Sequence, residues 1–216
     1  MESTPDDVQI KQGLANSFAN LGKVLQISGN LTEALKQLEN GFRIREQLAK
    51  SMPNDSEAQG LLAQSHYEIG TMLWQAGDVD EALKQYQHSF AIRKELADAD
   101  PGNIQAQRDL SFSFGITGDI LLDIGEVSKA QKQYEQSLKI RKSLSDADPG
   151  NVQAQRDLSI SHFNTGDIFK QAGKFDDAMK QYEKSIQIRK RLVQSCLLYT
   201  SPSPRDQRGS RMPSSA

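Results

Sequence analysis

Three histidines, His66, His88 and His162, are the side chains best suited to chemistry near neutral pH. Proton shuttling or metal binding would need a second group close by. No Cys, His or carboxylate stands at metal-ligand spacing from any of them, so they are expected to be packed rings. Asp98 and Asp100 share the first spacing of a calcium loop. That loop puts glycine sixth, whereas here Gly102 is fifth and Asn103 sixth, and a turn is expected instead. No glycine-rich phosphate loop with its lysine and no nucleophile motif is found. The sequence therefore offers no catalytic residue, no metal site and no cofactor site, and it does not read as an enzyme.

Arg45, Arg93, Arg141 and Arg189 recur at a spacing of 48 residues and allow two readings. They could form a basic strip for an acidic partner. Alternatively, a hairpin about Pro101 folds Arg93 back opposite Asp109, and Arg141 opposite Asp157. As exposed pairs these would add about 0 to 1 kcal/mol each. At the first junction Leu61 stands in place of the acid, and that pair is expected to be absent.

The elements that place these residues are repeats. Asp98-Ala99-Asp100-Pro101-Gly102-Asn103, followed by Gln105 to Ser111, returns almost letter for letter from Asp146 to Ser159. Pro5, Pro53, Pro101 and Pro149 share the 48-residue period and mark repeats at about 5–52, 53–100, 101–148 and 149–194. A fixed period of this size indicates a solenoid, in which each unit buries its apolar side against its neighbours. Within a repeat, Ile69, Met72, Leu73 and Ala76 fall on one helical stripe, then Gly77-Asp78 breaks the run. Asp78 with Glu81, like Asn30 with Glu33, has the spacing of a capping box. Ala82, Leu83, Tyr86, Phe90 and Ile92 supply a second apolar side. Near Asp98 that helix ends, because Pro101 disfavours helix before it, and Asn103 is placed to cap the next.

Composition limits the function classes. The chain has 216 residues, 37% of them hydrophobic, and a formal charge of −2, which gives no electrostatic footprint for nucleic acid. No apolar run approaches the roughly 20 residues that span a bilayer, and residues 1–7 lack a signal-peptide pattern. A cytoplasmic location is expected. Residues 195–216 leave the pattern for Pro, Ser and Arg and contain the single cysteine, Cys196. The stretch resembles a translated sequencing adaptor and its flanking primer, so a disordered, artefactual tail is expected. Removing Arg205, Arg208 and Arg211 together with Asp206 leaves a net charge of −4. Met1 to Thr4 align with the residues before each later proline, which suggests a fragment of a longer protein.

The phased positions resemble the tetratricopeptide repeat: an aromatic, Leu-Gly, a large residue, then a small residue and an aromatic. They read Phe18, Leu21-Gly22, Leu25, Ala34, Leu38; His66, Ile69-Gly70, Leu73, Ala82, Tyr86; Phe114, Thr117-Gly118, Leu121, Ala130, Tyr134; and His162, Thr165-Gly166, Phe169, Ala178, Tyr182. Gly22, Gly70, Gly118 and Gly166, with Ala34, Ala82, Ala130 and Ala178, are expected where the two helices of a repeat approach closely. The family's unit has 34 residues. The extra 14 here make roughly four turns, enough to lengthen both helices to about 20 residues without rotating their faces. Ile92-Arg93-Lys94-Glu95-Leu96, echoed at Ile140 and Ile188, is similar to the long-repeat branch that includes kinesin light chains and bacterial signalling proteins. The fold implied is all-α: a right-handed helical-hairpin solenoid of four such repeats over 5–194.

The resemblance also implies a groove that grips peptides, lined by first-helix positions off the buried stripe. These are Ala19, Lys23, Gln26; Tyr67, Thr71, Trp74; Gly115, Asp119, Leu122; and Phe163, Asp167, Lys170. Lys23, Tyr67, Thr71, Trp74, Asp119, Phe163, Asp167 and Lys170 are the partner-binding candidates, and packing against a neighbouring repeat is the alternative for the aromatics. Thr71, Asp119 and Asp167 stand where co-chaperones of the family use Asn to clamp a C-terminal carboxylate, so that use is disfavoured. The expected function is a scaffold that binds a peptide or protein surface, with no nucleic acid, membrane or small-molecule substrate. The other reading is a sensor region of a larger signalling enzyme whose catalytic domain is not in this fragment.

Overall fold

The computed structural model describes residues 5–200, with side chains from 6 to 195. The described residues form eight α-helices and no strand: α1 Pro5–Ile27, α2 Leu31–Ser51, α3 Ser56–Ala76, α4 Val79–Ala99, α5 Ile104–Asp123, α6 Val127–Ala147, α7 Val152–Gln171 and α8 Phe175–Thr200. Consecutive helices pack as a helical solenoid of repeats, and their lengths of 20 to 26 residues place the extra residues within the helices. Two compact units divide within α5, the first ending at Ile120 and the second beginning at Leu121. The expected tail at 195–216 lies mostly outside the described residues. Its first part, 195–200, continues the backbone of α8.

Two kinds of turn alternate, each with its own local chemistry. After α3, Gly77 takes φ 86°. This left-handed geometry lets the Asp78 N–H donate to Leu73 O at 2.9 Å and the Gly77 N–H to Trp74 O at 3.1 Å. Asp78 Oδ1 then accepts from the Glu81 N–H, as Asn30 Oδ1 accepts from the Glu33 N–H. The capping box is only half made: the Glu33 carboxylate turns forward to Gln37, and that of Glu81 to Lys84 and Gln85.

The turn after α4 is built by the repeated motif itself. Asp100 Oδ1 accepts from the Gly102 N–H and Asn103 Oδ1 from the Ala106 N–H, both at 3.0 Å. Gln107 Nε2 reaches back to donate to Ala97 O, filling a carbonyl that the end of α4 leaves open. Asp148, Asn151 and Gln155 make the corresponding turn after α6, with Gln155 donating to Ser145 Oγ.

Packing follows the small residues. Ala34, Ala82 and Ala130 are fully buried and Ala178 nearly so. A Cβ on Gly22 would sit 3.0 Å from Leu38, on Gly70 3.0 Å from Tyr86, and on Gly166 2.7 Å from Tyr182, which leaves no room for a side chain without movement. Gly118 is buried as well. In the first unit Ala19, Ala34, Leu38, Ile69 and Met72 form a core, with Leu31, Leu35 and Phe42 packed on it. In the second, Ala130, Tyr134 and Ile168 do so with Leu121 and Leu122. Burying an Ile or Met side chain in this way contributes about 1.5 to 3 kcal/mol.

Candidate partner-binding face

Three rungs of the arginine ladder, Arg45, Arg93 and Arg141, point inward, which corrects the expectation that these arginines are exposed, while Arg189 stays exposed. Arg45, Arg93 and Arg141 are 6%, 5% and 8% exposed. Each donates from Nη1 to a serine on the next helix, 20 residues on: Ser65 at 2.8 Å, Ser113 at 3.1 Å and Ser161 at 3.1 Å. Arg45 and Arg93 also donate from Nη2 to Asn16 Oδ1 and Gln64 Oε1 on the preceding helix. One guanidinium thus ties α1, α2 and α3, and the next ties α3, α4 and α5, because its planar fork of donors reaches two sides at once.

Asp109 acts on Arg93 only as a nearby charge, and Asp157 receives Arg141 through its backbone carbonyl at 3.3 Å. Burial pulls the Arg45 and Arg93 pKa values downward, opposed chiefly by Glu68 and Asp109 respectively. The first junction does hold an acid. Glu68, buried, lies 3.7 Å from Arg45 and 2.9 Å from Lys23. The partner serines went unread, although Ser17, Ser65, Ser113 and Ser161 keep the same 48-residue period as the arginines.

His66 and His162 are packed, whereas His88 is exposed, which corrects the expectation for that ring. His66 Nδ1 lies 2.7 Å from Gln85 Oε1, and His162 Nδ1 2.7 Å from Gln181 Oε1. The Phe42 ring meets His66 edge-on at 4.9 Å and His88 stacks on its other side at 5.1 Å. Burial lowers the pKa of both His66 and His162 against the raising effect of their glutamine contacts. Among the described residues, no group of three or more His, Cys, Asp or Glu could hold a metal ion.

The first-helix positions separate into three kinds. Ala19 and Leu122 belong to the cores. Tyr67 is half-buried: its ring meets Phe112 edge-on at 5.1 Å and tilts on Tyr86 at 5.9 Å, with the Arg93 guanidinium 5.7 Å away. Thr71 accepts from Tyr86 Oη at 3.3 Å. One side of Tyr67 therefore serves the packing of α3 on α4 and α5. Phe163 is 44% exposed, its ring 5.7 Å from Tyr182 and 5.8 Å from the Arg189 guanidinium. Beside it, Asp167 accepts from Tyr182 Oη at 2.7 Å and from Lys170 Nζ at 2.9 Å.

Lys23, Asp119 and Lys170 are exposed, and Trp74, like Tyr67, is half-buried. In the first unit Gln26 bonds Gln75 at 2.8 Å, so α1 and α3 touch through polar side chains along this face. Phe163, Asp167 and Lys170 come together on α7; Tyr67 and Thr71 come together on α3; Lys23 joins Glu68 rather than the other candidates.

A cleft of about 860 Å³ opens in the first unit between the early turns of α3 and α5, floored by the last turns of α4. Glu57, Glu95, Asp100 and Asp109 face it, with Arg93 the one basic side chain in its lining. None of the candidates read from the sequence lines it. Its lining comes from three helices and the turns between them, separated in sequence by up to about one repeat, which a pattern along the chain does not bring together.

A tetratricopeptide repeat profile matches residues 61–143, and a second profile of the same description matches 14–54 and 164–195. The crystal structure of BtubC (BKLC) from P. vanneervenii resembles the chain with a TM-score of 0.62 at 18% identity, over 94% of this chain and 69% of that one. The crystal structure of MamA gives a TM-score of 0.44 at 18% identity, over 83% and 81%. No curated protein matches in sequence. The matched profiles cover most of the chain, and the inward glycines and alanines stand where the repeat requires small residues: the chain belongs to the tetratricopeptide repeat family.

Proposed function

We propose that this chain is an interaction module, as repeats of its family generally are, and that it holds a peptide or a protein surface on the face of α3 and α5 in the first unit where Thr71, Trp74 and Asp119 stand, with Phe163 and Lys170 offering a face of the same kind on α7 in the second unit. The observation that carries this reading is the unequal use of equivalent positions. The glycine and the alanine that fix each repeat are the same in every copy and are buried, whereas the first-helix positions off the buried stripe change in charge and size from copy to copy and leave Phe163 44% exposed and Trp74 half-buried. Exposed aromatics among polar neighbours are favoured anchors, since they add contact area with few rotors to fix. Among the described residues no helix is long and apolar enough to cross a membrane.

Trp74 is the only tryptophan, so its emission reports directly. Peptides selected from a random phage library against the chain should shift a red emission to the blue, and Trp74→Ala should weaken them by at least about 2 kcal/mol with helical content intact. Emission already blue in the free chain, with Trp74→Ala lowering stability instead of affinity, would return Trp74 to the packing between repeats.

A further inference from the structure

The cleft of the first unit joins charge and apolar surface in a way the repeat itself does not require. Glu57 on α3, Glu95 on α4, Asp100 in the turn after α4 and Asp109 on α5 line it, against the one guanidinium of Arg93. Arg93 is buried, and its fork is already taken up by Ser113 and Gln64. Between the acids the lining is apolar, with Leu61, Ile92 and Leu96 half-buried. The equivalent positions one repeat earlier are Gln9, Gln47, Met52 and Leu61. The same helical packing therefore carries no acid at that junction, and the fold does not demand the charges found at this one.

The four acids also lack the cations that neutralise others in the same unit. Asp7, Glu33, Glu46, Glu81 and Asp98 each pair with a lysine three or four residues away. None of the cleft acids has a lysine or arginine at that spacing. Glu57, Glu95 and Asp100 are exposed, and the hydrogen bonds that Asp100 and Asp109 accept come from neutral donors, the Gly102 N–H and the Gln105 amide. Like charges around one space repel over about 8 Å at physiological salt. A cation that enters between them removes that repulsion, and an apolar group carried with it covers the surface between the acids.

We infer that this cleft binds a basic segment of a partner protein, in which lysine or arginine side chains flank an apolar one. The cations meet Glu57, Glu95, Asp100 and Asp109, and the apolar side chain lies over Leu61, Ile92 and Leu96. The occupant is a peptide rather than a small polyamine, because the apolar lining between the acids needs a side chain to cover it. At about 860 Å³ the cleft has the room of an ordinary ligand site. Glu57 and Trp74 stand at the two ends of α3, about 25 Å apart at 1.5 Å per residue. A short segment held in the cleft thus leaves Trp74 untouched, and the site stands independently of the face proposed above.

Fluorescence anisotropy of a labelled Lys-Leu-Lys-Leu-Lys peptide with the full chain tests this. The peptide should bind, more weakly as sodium chloride is added, and at least tenfold more tightly than spermine or than the same peptide with serine in place of leucine. Glu57→Gln with Glu95→Gln should weaken it at least tenfold at an unchanged melting temperature, since the first repeat carries glutamine at both places. Glu33→Gln with Glu81→Gln changes the net charge equally outside the cleft and should leave binding as it was, as should Trp74→Ala. No binding at millimolar peptide, equal weakening by the two double variants, a Glu57 and Glu95 variant that binds like the parent, or spermine or the serine peptide binding as tightly as the leucine peptide would each overturn the inference.

Discussion

Asn103 and Asn151 cap successive repeats with the same 3.0 Å bond, to Ala106 and Ala154. Thr71 and Asp167 also hold one repeat position, yet the first accepts a tyrosine hydroxyl at 3.3 Å and the second accepts one at 2.7 Å together with a lysine ammonium. The turns after α4 and α6 and the buried arginines Arg45, Arg93 and Arg141 do closely similar work in their copies, because a backbone that must reverse direction, and a buried guanidinium that must be satisfied, accept few side chains. The face of the first helices meets no such demand and differs from copy to copy. What repeats in this chain holds the fold, and what varies is where partner choice can be written.

The largest test of that division is the ladder. Arg93→Ala removes two charge-assisted bonds and leaves Gln64 and Ser113 short of a partner, so urea unfolding should show a loss on the order of 3 kcal/mol. Arg189→Ala, at an exposed rung, should cost no more than about 0.5 kcal/mol. Equal effects at the two sites would mean that burial is not what gives the ladder its value.

A second test sets two glycines against each other. Gly166→Ala puts a Cβ 2.7 Å from the Tyr182 ring and should destabilise by about 1 to 3 kcal/mol. Gly115, on the variable face, has no atom within 4 Å of an added Cβ, and Gly115→Ala should stabilise the helix by about 0.5 to 1 kcal/mol. The sign of each shift in the denaturation midpoint is the readout. Matching signs would erase the contrast between packed and variable positions.

The smallest effect concerns protons. Burial lowers the pKa of His66 and His162 from the ordinary 6.5, so the unfolded chain takes up protons in a range where the folded chain resists them. Their contribution to stability is complete above about pH 7 and declines as the pH falls through 6.5 towards the lowered folded values. Thermal melts should therefore show a lower Tm at pH 5.5 than at pH 7.5, and the double variant His66→Gln with His162→Gln should flatten that slope. A slope that the double variant leaves unchanged would assign it to the carboxylates instead.

Periodicity by itself determined the helices, the close approach at Gly22, Gly70 and Gly166, and the family, because each rests on local backbone chemistry or on a spacing that recurs in phase. Of the first-helix positions read as off the buried stripe, Lys23, Asp119, Phe163 and Lys170 are exposed and Gly115 is buried. The sequence misplaced Ala19 and Leu122, which sit at the margin of that stripe, where the curvature of packing rather than the 3.6-residue period decides what is covered. Only the tertiary structure decided the partners of the arginines. Asp109 has the opposite charge and the nearer place in sequence, but Ser113 and Gln64 are where the fork of Arg93 points once α3, α4 and α5 are packed, and a buried donor bonds what lies along its N–H directions. The acidic cleft has the same origin: Glu57, Glu95, Asp100 and Asp109 lie on α3, α4, the turn after it and α5, and only the packing of those helices brings them around one space.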